Sequence, residues 1–122
     1  MIVGLHHAQI SIPRGMEDQG RRFYVELLEL KEIEKPLALQ GRGGFWLRVG
    51  TSEVHVGTED GVDRRKTKAH LAYEVRGLDN WRKRLKSAGI EIEDSVPISG
   101  YDRFEFRDPF GNRVELIEPV GR

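Results

Sequence analysis

The chain has no cysteine, no excess of charge of either sign and no long apolar run. Without cysteine it forms no disulfide and offers neither a zinc–thiolate site nor a thiol nucleophile. Its 20 basic and 20 acidic residues cancel, so net charge does not favour nucleic-acid or anionic-membrane partners. No stretch approaches the roughly 18 apolar residues of a membrane helix, and the first residues lack a signal-peptide pattern. We therefore expect a cytoplasmic protein.

The length and composition of the chain suit one compact domain. The 122 residues are enough to bury a core, although the chain is small for an enzyme. Hydrophobic residues make up 38% of the chain and charged residues 33%. We predict a single domain that spans residues 1–122.

The order of predicted elements occurs twice along the chain. The first half begins with the strand HAQISI, continues with the helix EDQGRRFYVELLEL and the short strand KEIEKP, and ends with the strands GFWLRVG and SEVHVG. The second half repeats this order, with the strand HLAYEV, the helix GLDNWRKRLKSAG, the strand IEIED and two strands around the turn DPFGN. This is a two-fold duplication. We predict module one at about 1–58, a linker at 58–68 and module two at 69–122, with the charged linker TEDGVDRRKTK solvated.

Strand alternation separates the two adjacent histidines at the start of the chain. Successive side chains of a strand point to opposite faces. His6 therefore shares an apolar face with Ala8 and Ile10, whereas His7 shares a polar face with Gln9. A polar strand face is exposed to solvent or lines a pocket, and this strand alone does not distinguish the two.

The same alternation selects one polar residue in each of three further strands. His70 opposes the apolar face of HLAYEV, His55 lies between two valines of SEVHVG, and Glu115 lies between Val114 and Leu116. The first strand of each half thus supplies a histidine, and the last strand supplies His55 or Glu115. Each residue alone would be an ordinary strand residue. Together, imidazoles and a carboxylate are the ligands that a divalent metal accepts in the absence of thiolates, with positions left open for Lewis-acid chemistry.

The repeated βαβββ pattern, the opening HAQISIP, the segment FYVELL and the closing RDPFGNRVELIE resemble the vicinal oxygen chelate superfamily. That superfamily includes glyoxalase I, extradiol dioxygenases, fosfomycin-resistance thiol transferases, methylmalonyl-CoA epimerases and bleomycin-binding proteins. The resemblance covers essentially the whole chain. It implies an α+β fold in which two βαβββ modules form a curved mixed sheet around a cleft. It also implies metal ligands on the first and last strands of each module, at His7, His55, His70 and Glu115.

Position 55 departs from the pattern of several members of the superfamily. Glyoxalase I would have a carboxylate at position 55 and the epimerases typically a glutamine, whereas this chain has His55. The departure leaves open whether His55 is a ligand. Glu115 is then the one predicted site carboxylate able to transfer a proton as well as to bind metal. We assign it the catalytic role.

The resemblance implies a metal-dependent enzyme that acts on a small oxygen-bearing molecule chelated to Zn, Ni, Mn or Fe, by lyase, isomerase or oxygenase chemistry. We predict Trp46, Arg48 and Arg103 as substrate-binding residues, since arginine binds carboxylate or phosphonate in a bidentate manner and tryptophan can form a pocket wall. The alternatives are that both arginines simply face solvent on their strands and that Trp46 is a dimer contact. The alternative is a non-catalytic binding protein of the bleomycin-resistance type. Family members are commonly homodimers, and the sequence does not decide whether one chain or a module-swapped pair forms the site.

Overall fold

The computed structural model describes residues 1–121 and divides the chain into two compact units. The first unit runs from Met1 to Val62, and the second begins at Asp63. Each unit contains one four-stranded mixed sheet and follows the order strand, helix and three strands. The predicted α+β class of two βαβββ modules is therefore confirmed.

The first unit builds its sheet in the order β1-β4-β3-β2. Its elements are β1 (His7–Ile12), α1 (Glu17–Arg21), β2 (Lys31–Ile33), β3 (Phe45–Val49) and β4 (Ser52–Thr58). A short 3₁₀ helix, Leu37–Arg42, joins β2 to β3. β1 pairs in parallel with β4, whereas the other two pairs are antiparallel.

Helix α1 covers the apolar face of the first sheet. Gly20 permits the close approach, because a Cβ there would lie 3.0 Å from a ring carbon of Phe45 and 3.1 Å from Cδ1 of Ile12. Phe23 and Tyr24 are buried on the same helical segment. The opposite face of the sheet is thus left to carry the polar residues of β1 and β4.

The end of this helix differs from the predicted α-helical spacing. Residues Arg22–Leu27 form a π-helix, in which the Leu28 N–H donates to the Phe23 carbonyl at 2.9 Å. Consecutive residues are rotated less in a π-helix than in an α-helix. Phe23 and Tyr24, which are adjacent in sequence, can therefore both be buried.

The second unit repeats the topology, with the strand order β5-β8-β7-β6. Its elements are β5 (His70–Glu74), α2 (Leu78–Ser87), β6 (Glu93–Asp94), β7 (Tyr101–Arg107) and β8 (Arg113–Pro119). β6 is only two residues long, shorter than the predicted strand IEIED. None of the helices in residues 1–121 is long and apolar enough to cross a lipid bilayer.

Helix α2 packs through the apolar positions that its sequence spacing predicts. Leu78 and Leu85 are buried, and Trp81 is half-buried. The Glu118 carboxylate accepts hydrogen bonds from the Gly77 and Leu78 N–H groups, which otherwise have no partner at a helix N-terminus. The helix is thereby tied to β8.

The charged segment between the modules is less solvated than predicted. Thr58 still belongs to β4, and residues Arg64–Lys66 form a 3₁₀ helix in which Arg64 is buried. The Arg107 guanidinium donates to the Arg64 carbonyl at 3.4 Å and to the Gly111 carbonyl at 3.0 Å. These contacts hold the start of the second unit against its closing turn, so the prediction of a solvated loop was wrong for Arg64.

Candidate metal centre

In the first unit, β1 and β4 bring His7 and His55 together on the face opposite α1. Gln9 pairs with His55 across the parallel strands, and Trp46 pairs with His55 on the other side. The His55 ring stacks between His7, at a centroid distance of 4.1 Å, and Trp46, at 3.7 Å. His55 is buried, whereas His7 is exposed.

Glu53 holds the imidazole of His55. It precedes His55 by two positions in β4 and therefore shares its face. Its Oε1 lies 2.9 Å from Nε2 of His55, and its Oε2 lies 3.5 Å from the exposed Arg48. The hydrogen bond with His55 is the main reason that the pKa of Glu53 is lowered. Sequence reasoning assigned Glu53 no role, although alternation along β4 places it beside His55.

His6 lies outside the strand that carries His7. β1 begins at His7, and His6 is exposed, with its Nδ1 3.0 Å from Nδ1 of His7. The expectation that His6 shares the apolar face of the strand is therefore wrong, because the regular alternation starts one residue later.

In the second unit, β5 and β8 bring His70 and Glu115 together. Nε2 of His70 lies 3.0 Å from Oε1 of Glu115, and the Glu115 side chain is 5% exposed. Nδ1 of His70 lies 2.9 Å from the Lys68 carbonyl oxygen. A carbonyl only accepts hydrogen bonds, so Nδ1 carries a proton. In the neutral ring, the Nε2 lone pair is then directed at a carboxylate oxygen.

A second carboxylate, that of Glu105 in β7, lies beside the His70–Glu115 pair. The potential ligand atoms of His70, Glu105 and Glu115 all lie within 4.8 Å of one another. Glu105 is directly opposite Glu115 in the antiparallel register, and Arg113 donates to its Oε2 at 2.6 Å. Alternation along β7 places Glu105 beside Arg103, but the sequence gives no indication of which residue of β8 it faces.

The three predicted substrate-binding residues have different surroundings. Trp46 is stacked on His55, and Arg48 is exposed beside Glu53. Arg103 donates to Oε1 of Glu115 at 3.2 Å, and through Nε and Nη2 to the Val96 carbonyl at 3.1 Å and 2.6 Å. Arg103 thus links Glu115 to the loop before β7 rather than presenting an open guanidinium.

The donor set fits a divalent metal in its chemistry. Each unit brings its own predicted pair together, His7 with His55 and His70 with Glu115. Metal-bound histidines typically donate their other ring N–H to a carbonyl or carboxylate, as His70 does to Lys68. For His55 the partner is Glu53, which leaves Nδ1 as the nitrogen for a metal.

Residues 4–116 match the family model of the Glyoxalase/Bleomycin resistance protein/Dioxygenase superfamily. A solved glyoxalase family protein from Bacillus anthracis is 38% identical, with a TM-score of 0.91 and 98% of both chains covered. The chain therefore belongs to this superfamily, as the sequence motifs predicted. Among curated proteins, none matches the chain.

More distant solved structures share the fold. The fosfomycin resistance protein FosX from Listeria monocytogenes is 18% identical, with a TM-score of 0.78 and coverage of 98% of this chain and 96% of FosX. A FosX mutant at 20% identity was solved with Mn(II) and 1S,2S-dihydroxypropylphosphonic acid, with a TM-score of 0.80 and coverage of 98% and 95%. An integron cassette protein from V. Cholerae is 21% identical, with a TM-score of 0.74 and coverage of 97% and 96%.

Proposed function

We propose that the protein is a metal-dependent enzyme that binds a small molecule through adjacent oxygens on a divalent metal. His7, His55, His70 and Glu115 are the proposed ligands. The observation that carries the proposal is the His70–Glu115 pair, in which Nε2 faces a buried carboxylate oxygen at 3.0 Å while the Lys68 carbonyl takes Nδ1. A cation between the nitrogen and the oxygen would satisfy both groups.

The metal would stabilise negative charge that develops on the oxygens of an ene-diolate, a catecholate or a phosphonate. Glu115 is the proposed proton-transfer residue, because its carboxylate lies at the predicted metal position and is shielded from water. Trp46 and Arg48 are proposed to contact the substrate on the first unit. Arg103 is proposed to bind the substrate through its remaining N–H groups while it orients Glu115, because the contacts with Glu115 and Val96 use three of its five donors.

The FosX complex supports this class of ligand. Its Mn(II) and its vicinal diol phosphonate combine a divalent metal with a ligand that has adjacent oxygens. At 20% identity, that complex supports the choice of Mn(II) and of phosphonates as first probes for this chain. The proposal extends to a cytoplasmic homodimer without nucleic-acid or membrane partners.

Elemental analysis of untagged protein tests the metal site directly. We expect about one equivalent of divalent metal per chain in the wild type and in the control Lys83→Ala, a substitution at an exposed position of helix α2. We expect loss of the metal in His70→Ala, because Glu115 would keep no imidazole partner. Circular dichroism of all three proteins checks that the fold is unchanged.

The outcomes separate the enzyme from a binding protein. The proposal is supported if the wild type contains metal and His70→Ala does not, and if the wild type turns over a catechol, an α-hydroxycarbonyl or an epoxyphosphonate. Protein that takes up no metal after incubation with Mn, Ni, Zn or ferrous ions contradicts it. That result would favour a non-catalytic role of the bleomycin-resistance type.

A further inference from the structure

A row of glutamates crosses the polar face of the second sheet. Glu115 of β8 lies opposite Glu105 of β7, which lies opposite Glu93 of β6. Like charges directly opposite each other on neighbouring strands destabilise a sheet. A row of three therefore needs cations nearby, and Arg103 at Glu115 and Arg113 at Glu105 supply two of them.

The inner two glutamates differ from the outer one in their surroundings. Glu105 is partly buried, and its ligand oxygen lies within 4.8 Å of those of His70 and Glu115. Glu93 is exposed at the edge of the sheet and is not in that group. The inner pair can thus share one cation with the His70 imidazole. The outer glutamate, Glu93, lies outside this group.

Arg113 neutralises Glu105 without using both of its oxygens. The contacts from Nε and Nη2 of Arg113 both go to Oε2 of Glu105. Oε1 can therefore approach a metal while the ion pair with Arg113 persists. An arginine that holds one carboxylate oxygen also fixes the direction of the other.

We propose that Glu105 is a third metal ligand from the second unit, binding the ion through Oε1 beside His70 and Glu115. The inference rests on the proposed metal-binding function and adds a residue that the superfamily resemblance did not assign. With Glu105, the second unit supplies two carboxylates and one imidazole. This is a harder donor set than the one carboxylate and one imidazole that the sequence predicts for that unit. Such a set favours Mn(II) relative to the metals that prefer nitrogen.

The competing explanation is that Glu105 only forms an ion pair that stabilises the sheet. Three variants distinguish the two roles. Glu105→Gln removes the charge and keeps the shape, Arg113→Gln breaks the ion pair but keeps the Glu105 carboxylate, and Glu93→Gln removes a glutamate of the same row. If Glu105 is a ligand, only the first of these variants loses a metal contact.

The test is Mn(II) binding by the full chain. The protein is first stripped of metal with a chelator, which is then removed, and Mn(II) is titrated in while the electron paramagnetic resonance signal of free Mn(II) is measured. We expect Glu105→Gln to weaken Mn(II) binding by at least about tenfold. Arg113→Gln and Glu93→Gln should stay within a few-fold of the wild type. Calorimetric titration with Ni(II) should show a smaller loss for Glu105→Gln than Mn(II) does.

Each outcome decides a different point. If the wild type binds Mn(II) and Glu105→Gln binds it equally well, Glu105 is not a ligand, whereas the proposed function stands. If Glu105→Gln and Arg113→Gln weaken binding equally, the ion pair is structural. An equal loss in Glu93→Gln would indicate a general charge effect and also overturn the inference. If the wild type binds no Mn(II) or Ni(II), the proposed function itself fails.

Discussion

The two ring nitrogens of a histidine are not equivalent, and their hydrogen-bond partners decide which one remains for a metal. In the second unit, Nδ1 of His70 is hydrogen-bonded to the Lys68 carbonyl, so Nε2 remains for a metal. In the first unit, Nε2 of His55 is hydrogen-bonded to Glu53, so Nδ1 remains for a metal. Alternation along a strand predicted the face on which each histidine lies. It could not predict the nitrogen, which depends on side-chain rotamers and on backbone groups outside the strand.

Glu17 at the start of α1 makes the first unit sensitive to acid. Its carboxylate accepts a hydrogen bond from the Gly44 N–H at 3.0 Å, and this contact lowers its pKa below the usual 4.5. A lowered pKa in the folded state stabilises the protein above the pKa of the unfolded state. The stabilisation is lost as the pH falls through the folded value. We expect Glu17→Gln to lower the free energy of unfolding at pH 7 by about 1 kcal/mol.

The difference between Glu17→Gln and the wild type should disappear below the folded pKa of Glu17, which lies under 4.5. Urea denaturation at pH 7 and at a series of lower pH values measures this difference, over the range in which both proteins remain folded without denaturant. Asp18→Asn is the matched control, because Asp18 is exposed in the same helical turn. A loss that does not decrease as the pH falls would contradict the assignment.

At the level of the elements, the duplication preserves backbone register but not chemistry. Trp46 faces His55 in the first sheet, and Glu105 faces Glu115 at the corresponding register position in the second. The first unit therefore has an aromatic stack where the second has a pair of carboxylates. Strand and helix periodicity predicted both modules, since it depends on local spacing alone. The partner across a sheet depends on the register that the loops impose.

The start of β3 requires glycine at position 44. Gly44 has φ +79°, and a Cβ there would lie 2.1 Å from the Val56 carbonyl oxygen. We expect Gly44→Ala to lower the free energy of unfolding by about 3 kcal/mol or more, because both the backbone strain and the clash must be relieved. Urea denaturation measures the change.

Gly50 in the turn between β3 and β4 is the matched control for Gly44. It also has positive φ, at +58°, but a Cβ there would meet no atom within 4 Å. Gly50→Ala should therefore cost only about 1 kcal/mol, from the strained backbone conformation. Equal losses in the two variants would show that the contact with Val56 has no effect.

At the level of the whole molecule, we predict a homodimer. Ile2, Val3 and Leu5 are 95%, 90% and 73% exposed, and soluble monomers rarely expose a continuous apolar segment. Light scattering after size-exclusion chromatography should give twice the 14.0 kDa of one chain. An apolar interface should keep this mass at high salt. A mass of one chain at micromolar concentrations would contradict the prediction.

The sequence by itself determined the modules, the faces of their strands and the two pairs of candidate ligands. These features depend on period-two and helical spacing and on turn residues such as those of DPFGN, which act over a few residues. Only the tertiary structure decided that Glu105 lies beside His70 and Glu115, that Arg103 is held by Glu115 and Val96, and that Arg64 is buried. Each of these contacts joins strands or loops that are distant in sequence. Strand register and side-chain rotamers therefore set them, and local spacing does not encode either.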